Sequence, residues 1–411
     1  MTDKKSILFI TVTFPPRLSV ASLRLYNYAK LFHQNGWRVS VITCTQEGQN
    51  ISDEFDLDRF NIIDIPWKDP YFKIQRIKNK LLKKVIVKSM GYIIPQLPIW
   101  LPDMRFRSWK KNAIKCANEL ISKQEISHIY TTFSPPSPHL IGQKLKSKHK
   151  NIYWIAEYRD LWSFSASNNS IKKLLKNLHF EIEKRIVNES DLILTVSKGQ
   201  QAIMQKRLRR NVHILYNGCD FDSYRNLSEI NNGFSIVYTG YYSKKFNDLD
   251  LFFKSTKEFI STHKNAARPI KIIFVGTPEN NLILNKIKHY ELENYCVFLK
   301  KMPNVEVKKI QKSASLLLHL AWTDPSQKGI LSGKIFEYIS AQRPILSIGF
   351  DQELAELISP YNGKMLQKKS EIVNYMKKTY ETEMKIKLAD NKTSEISKEN
   401  QFKKLEKIIN Q

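Results

Sequence analysis

At 411 residues and 48.2 kDa the chain is longer than one hydrophobic core organises, which predicts two domains of about 150–200 residues each. Hydrophobic residues make up 42%, with only 13 Gly and 16 Pro, and this excludes a low-complexity or fibrous chain. The 66 Lys and Arg against 39 Asp and Glu leave a net charge of +27, an excess that predicts an anionic partner: nucleic acid, a membrane surface or a phosphorylated small molecule.

Cys44, Cys116, Cys219 and Cys296 are widely spaced, which excludes a Cys-x-x-Cys redox pair, zinc-ribbon spacing or a dense disulfide framework and predicts a reducing, cytoplasmic compartment. The apolar run Ile7-Leu8-Phe9-Ile10 is soon broken by Pro15-Pro16, too short for a secretory signal. The most membrane-like stretch, residues 91–102, carries Pro95, Pro98 and Pro102 and falls short of the ~20 apolar residues of a spanning helix. No transmembrane helix is expected.

Residues 7–12 are predicted as a buried strand, followed by the polar turn Ser19-Val20-Ala21-Ser22 and a helix through Leu25, Tyr28, Ala29, Leu31 and Phe32 that stops at Asn35-Gly36. The next strand is expected at 39–42, completing the strand–helix–strand unit of a parallel sheet. Further strands are predicted at 62–65, 128–131, 153–156 and 192–196. After Asn217-Gly218 a second series runs 235–238, 270–275, 297–299, 316–320 and 345–348, with helical patterns between. The expected domains are 1–217 and 218–390, and in residues 391–411 Phe402, Leu405 and Ile409 share a helical face that would pack back toward the first domain.

Charge is uneven, with +19 on residues 1–217 and +8 on the remainder. Residues 71–111 hold eleven Lys and Arg against the single Asp103, with Ile74, Ile77, Leu81 and Val85 at helical spacing. Lys80, Lys83 and Lys84 flank that apolar stripe, the pattern of an interfacial helix on anionic lipid; the alternative is a surface helix whose stripe packs on the core.

Phosphate loops of the Gly-x-x-x-x-Gly-Lys-Ser/Thr type, His-Glu-x-x-His, Gly-x-Ser-x-Gly and a Gly-x-Gly-x-x-Gly after the first strand are all absent. Asp56-Leu57-Asp58 lies in an acidic surface run rather than a metal-holding loop, so no metal site is expected. One segment carries chemistry: Gly329-Ile330-Leu331-Ser332-Gly333-Lys334-Ile335-Phe336-Glu337-Tyr338. A helix opening at Ser332-Gly333 offers free N–H groups and a positive dipole end to a phosphate, and Lys334 adds charge. Glu337, one turn on, is placed to accept the two hydroxyls of a ribose. The alternative for these residues is a capped helix with an exposed Glu.

This segment resembles the nucleotide-sugar site of family 4 glycosyltransferases. Phe14-Pro15-Pro16 with Arg24 and Asn35-Gly36-Trp37 resemble that family's first strand, acceptor-side loop and helix, and Ser134-Pro135-Pro136-Ser137-Pro138-His139, Ala156-Glu157-Tyr158-Arg159-Asp160, Ser197 and Tyr216-Asn217-Gly218 resemble, in order along the chain, a bacterial branch that makes surface polysaccharides. The resemblance implies an α/β GT-B fold of two facing Rossmann-like, doubly wound domains with a cleft between them. Of the two glutamates eight positions apart that the family often has, this chain keeps only Glu337; Gly329 stands at the other, so donor-sugar contacts would come from backbone at Gly329 to Leu331. The basic pair after the second domain's first strand is replaced by Gly240-Tyr241-Tyr242-Ser243-Lys244-Lys245, in which either lysine would meet the pyrophosphate. Arg159-Asp160 stands where relatives show His-Asp, on the catalytic side, unless the two residues only pair and brace a loop. Ser19, Arg24 and His139 fall on the acceptor side.

The implied activity is retaining, metal-independent transfer of a sugar from a nucleoside diphosphate to a lipid-linked or other glycan acceptor, in capsule, exopolysaccharide or lipopolysaccharide synthesis. The implied enzyme needs no cofactor, binds no nucleic acid, and sits peripherally on the anionic inner face of the cell membrane. The alternatives are a nucleotide-sugar epimerase of the same architecture and a basic nucleic-acid-binding protein.

Overall fold

The computed structural model describes residues 5–17, 19–44, 55–67, 79, 81–82, 85–86, 106–124, 126–162, 170–229, 233–242, 249–263, 268–279, 281–321, 329, 331–382 and 395–411. The chain divides into two compact units, the first comprising Met1–Val196, Gln200–Leu215 and Lys404–Gln411, the second Ser197–Gly199 and Tyr216–Lys403.

Up to residue 215 the elements are β1 (Ser6–Ile10), α1 (Val20–Gln34), β2 (Arg38–Thr43), β3 (Asn61–Asp64), α2 (Arg107–Gln124), β4 (His128–Phe133), α3 (Ser137–Lys148), β5 (Tyr153–Tyr158), α4 (Ser170–Val187), β6 (Leu192–Thr195), α5 (Lys198–Leu208) and β7 (His213–Ile214). The seven strands form one parallel sheet in the order β3-β2-β1-β4-β5-β6-β7. Every residue of β1 is buried, as expected of a parallel strand covered on both faces. Ser19 caps α1, its Oγ accepting from the Ser22 N–H at 3.1 Å, and Gly36 ends the connection at φ +83°, a backbone conformation that glycine adopts at little cost. Trp109 and Trp154, both fully buried, fill the core, and the Trp109 indole N–H donates to the Thr43 carbonyl at 3.1 Å.

The second series is α6 (Asp222–Arg225), β8 (Phe234–Thr239), α7 (Asp250–Ser261), β9 (Ile270–Val275), α8 (Asn281–His289), β10 (Cys296–Leu299), α9 (Asn304–Ser313), β11 (Leu316–Leu320), α10 (Gly333–Ser340), β12 (Ile345–Ile348), α11 (Gln352–Ile358), β13 (Gly363–Leu366) and α12 (Lys369–Thr382). Its six strands are parallel in the order β10-β9-β8-β11-β12-β13. The last helix is α13 (Lys398–Ile409). Within the first unit, residues of its second half meet the start of the chain: Glu406 accepts from the Trp37 indole N–H at 3.3 Å and Asn410 from the Lys5 ammonium at 2.6 Å.

In both sheets the strand order reverses beside the first strand of the series, between β1 and β4 and between β8 and β11. A doubly wound sheet opens a ligand crevice outside the C-terminal strand ends at such a reversal. Residues after β1 and β4, and residues after β8 and β11, are therefore where each unit's chemistry belongs. Among the described residues no helix is long and apolar enough to cross a membrane.

Candidate functional site

In the second unit, the reversal gathers the segment singled out in the sequence. Ser332 is the N-cap of α10, its Oγ accepting from the Lys334 N–H at 3.3 Å, so the helix opens where the sequence places it. The Lys334 ammonium lies 4.3 Å from the centre of the Tyr238 ring and donates to the Tyr238 hydroxyl at 3.2 Å; that hydroxyl in turn donates to the Tyr241 carbonyl at 3.0 Å. Gly240, at φ +94°, leaves room for this lysine: a Cβ there would stand 2.8 Å from Lys334 Cε. Burial pulls the Lys334 ammonium down to about 8, against the opposing pull of Glu337.

Glu337 is half-buried on the same helix. Its Oε2 accepts from Gln311 Nε2 at 3.3 Å, and Gln311, fully buried on α9, also donates to Thr239 Oγ1 at 3.2 Å and accepts from the Tyr224 hydroxyl. Oε1 carries no hydrogen bond among the described residues, which leaves it for a ligand. Burial raises the Glu337 carboxyl above its ordinary value, although the Gln311 hydrogen bond and the charges of Lys308, Lys334 and Lys398 oppose the shift. Lys398 is itself paired with Asp220 at 2.9 Å, and Lys308 lies 4.0 Å from the same carboxylate.

Gly329 is placed differently from the sequence expectation that it offers backbone to a donor sugar. Its N–H donates to Asp351 Oδ2 at 3.2 Å and its carbonyl accepts from Ser197 Oγ, so both groups are engaged within the second unit. A Cβ on Gly329 would meet Gly199 Cα at 2.5 Å, so this position stays glycine for packing as well as for its φ of +80°. Leu331 is buried in the apolar cluster under α10, and its side chain serves the core. Lys244 and Lys245 lie outside the described residues.

In the first unit the acceptor-side expectations meet a correction. Arg24 is buried, its guanidinium 2.7 Å from Glu157 and donating to the Leu215 carbonyl at 2.8 Å; these contacts brace α1 against the sheet rather than presenting charge to a substrate. Burial alone would lower the Arg24 guanidinium, but Glu157 holds it above its ordinary value. His139 is fully buried, with Nδ1 2.8 Å from Thr131 Oγ1, and burial with the nearby Arg159 charge drives it down to about 3, so the ring is neutral. Ser19 is spent on its cap. Arg159 donates from Nε to Thr132 Oγ1 at 3.0 Å and to the Phe133 carbonyl at 3.2 Å, while Asp160 is exposed. The loop is braced by this bond to β4 and not by an Arg159–Asp160 pair.

Of the basic stretch, Lys80, Lys83 and Lys84 lie outside the described residues. Leu81, Leu82 and Val85 are 76%, 51% and 57% exposed, so the stripe does not pack on a core at these positions. Asn79 Oδ1 accepts from the Leu81 and Leu82 N–H groups at 3.0 and 3.1 Å, a helix start. Among the described residues no group of three or more His, Cys, Asp or Glu is placed to hold a metal ion.

The sequence reading missed Gln311, Tyr238 and His319. His319, on β11, is hydrogen-bonded through Nδ1 to Ser347 Oγ at 2.9 Å and held down to about 3 by burial and Lys334. A histidine inside the apolar run Leu316-Leu317-Leu318-His319-Leu320 was the available signal; Gln311 and Tyr238 gave none.

No protein-family model matches the sequence, and no curated protein matches it. Solved structures do. A glycosyltransferase from Rickettsia africae superposes with a TM-score of 0.62 at 14% identity, over 99% of this chain and 98% of that one. The Anabaena protein HepE, in complex with UDP and glucose, gives 0.62 at 14% identity over 98% and 99%. The fold is GT-B. A protein assigned as a UDP-N-acetylglucosamine 2-epimerase from Listeria monocytogenes shares it at a TM-score of 0.55 and 8% identity, over 97% and 90%.

Proposed function

We propose that the chain is a glycosyltransferase, retaining and metal-independent, that moves a sugar from a nucleoside-diphosphate sugar to a lipid-linked glycan acceptor in the synthesis of a bacterial surface polysaccharide. The observation that carries this reading is the pairing of Lys334 and Glu337 on one helix that opens at a strand-order reversal, with Gln311 holding one carboxylate oxygen and the other left open. The carboxylate would take the ribose hydroxyls and the helix start the diphosphate. As the glycosidic bond breaks, negative charge grows on the departing diphosphate; Ser332, Gly333 and Lys334 meet it with N–H dipoles and an ammonium already in place, and Lys244 or Lys245 would add to them. Arg159 and Asp160 are proposed to face the acceptor. UDP and glucose bound to HepE, a protein of the same fold, support a nucleotide sugar as donor.

Screening nucleotide sugars for thermal stabilisation tests this directly, because a bound donor stabilises by mass action without an acceptor. Stabilisation by at least one nucleoside-diphosphate sugar, and transfer that survives excess EDTA, are expected. The fold shared with an epimerase keeps one rival in view: interconversion of a nucleotide sugar in the absence of acceptor would select it instead.

The exposed Leu81, Leu82 and Val85 within a stretch of eleven Lys and Arg support a place on the inner, anionic face of the cell membrane. Sedimentation with phosphatidylglycerol vesicles should weaken as salt rises, because the Debye length is only about 8 Å at physiological ionic strength, and weaken further for Lys80/Lys83/Lys84→Gln. Equal sedimentation of both proteins removes the membrane role.

A further inference from the structure

We propose that the second unit carries a further binding site, for a small amphiphile with an apolar body and one anionic group, in a cavity between helix α9 and the face of the sheet at β8 and β9. The cavity has a volume of about 310 Å³, and Phe234, Val237, Pro269, Ile273 and Ile310 make its lining mainly apolar. Phe234 and Pro269 lie where β8 and β9 begin, whereas Lys334 meets Tyr238 and Gly240 where β8 ends, so the cavity is separate from the nucleotide site. A parallel sheet is normally covered on both faces. Here one face of β9 is buried at Ile270, Ile272 and Phe274, while on the other Lys271 is exposed and Ile273 half-buried, and Val297, the neighbour of Ile273 on β10, is 38% exposed.

Charge decides which molecule fits. Of the two lysines that line the cavity, Lys309 is paired with Glu306 at 2.8 Å, whereas Lys271 pairs with no carboxylate among the described residues. Ser235, beside Lys271 in the strand register, accepts from the Ser315 N–H at 3.3 Å, and its hydroxyl proton has no acceptor among the described residues. An unpaired ammonium and an O–H donor side by side at the edge of an apolar hollow complement a carboxylate or a phosphate carried on a hydrocarbon body. Helix α9 also ties the cavity to Glu337. Ile310 and Ser313 line the cavity, and Gln311 between them donates to Glu337 Oε2 at 3.3 Å. Cavity and hydrogen bond exist in the same conformation of α9, so a molecule that fills the one favours the other, and by linkage a bound nucleotide tightens the cavity's ligand by the same factor. This coupling rests on the nucleotide reading of Glu337; the cavity site does not.

The test titrates octanoate, octyl phosphate and octanol by calorimetry into the full chain, as wild type, Lys271→Gln and Ile273→Trp, each shown to be folded by its thermal melt, with and without saturating UDP. The wild type should bind one equivalent of at least one of the two anions, about threefold more tightly than octanol, the worth of one exposed charge contact. Lys271→Gln should bring that anion down to the affinity of octanol and leave octanol unchanged, and Ile273→Trp, which puts an indole into the cavity, should abolish binding of all three. Tighter binding of octanoate assigns the anionic group to a carboxylate, and tighter binding of octyl phosphate assigns it to a phosphate ester. Binding that survives Ile273→Trp, an anion affinity equal in Lys271→Gln and wild type, or no binding of either anion by wild type overturns the site. Should Ile273→Trp unfold, Lys271→Gln decides alone. The bound anion should also raise UDP affinity about fivefold, and an unmoved UDP affinity overturns the coupling. Failure of UDP itself to bind would instead remove the nucleotide reading, while an anion isotherm that is lost in Ile273→Trp would leave the cavity site standing.

Discussion

Glu157 and Glu337 are carboxylates placed near the strand-order reversal of their respective units, yet the protein treats them in opposite ways. Glu157 is sealed against Arg24 with both side chains almost wholly buried, so the guanidinium meets its charge although its second oxygen has no hydrogen-bond partner among the described residues. Glu337 is held by an amide, Gln311, which satisfies one oxygen and brings no charge. The difference teaches that the partner, more than the carboxylate, separates structure from chemistry. An ion pair closes a site, whereas a neutral donor orients the group and leaves it able to bind.

The strongest way to break that contrast is Glu157→Gln, which strands the Arg24 guanidinium without its counter-charge. Removing one partner of a buried pair costs about 3–5 kcal/mol, so urea unfolding should show a loss of that size. A loss below about 1 kcal/mol would mean that the pair behaves as a surface contact. Glu337→Ala should do the reverse: its melting temperature stays close to wild type, while nucleoside-diphosphate affinity measured by calorimetry falls about 10–100-fold, the worth of a charged hydrogen bond. Unchanged affinity in the folded variant would remove the ribose assignment.

A pH series sharpens the comparison further. Lys334 carries its proton below about 8 and loses it above, and a bound diphosphate favours the charged form. Affinity for UDP should therefore be constant below that pH and decline as pH rises through 8, and Lys334→Gln should flatten the profile. The smallest effect belongs to Ser332→Ala, which removes the α10 cap and should cost about 1 kcal/mol or less, read as a small drop in melting temperature.

Much of the fold could be read from the residues because parallel strands buried on both faces are written as nearly continuous apolar runs, and β1 and β11 fall where such runs predict them. The strands that escaped, β7 and β13, lie at sheet edges: His213–Ile214 is two residues long, and Gly363–Leu366 opens on glycine and lysine, so neither has a run to detect. At the candidate site, Ser332, Lys334 and Glu337 were legible because a helix start is a local event with local chemistry. Arg24 and Gln311 were not, since their roles depend on partners 133 and 26 residues away, respectively. A polar side chain looks the same in sequence whether it faces solvent or closes an ion pair in the core.

The first unit is assembled from three pieces of chain, and the last of them, Lys404–Gln411, follows the whole of the second. During translation at about 5–20 residues per second, the ribosome spends roughly 10–40 s making residues 216–403 after it has added Leu215. For that interval Trp37 and Lys5 lack Glu406 and Asn410, the partners they will later hold. The nascent first domain thus waits with its seam open, and its completion is timed by synthesis of the domain that follows it.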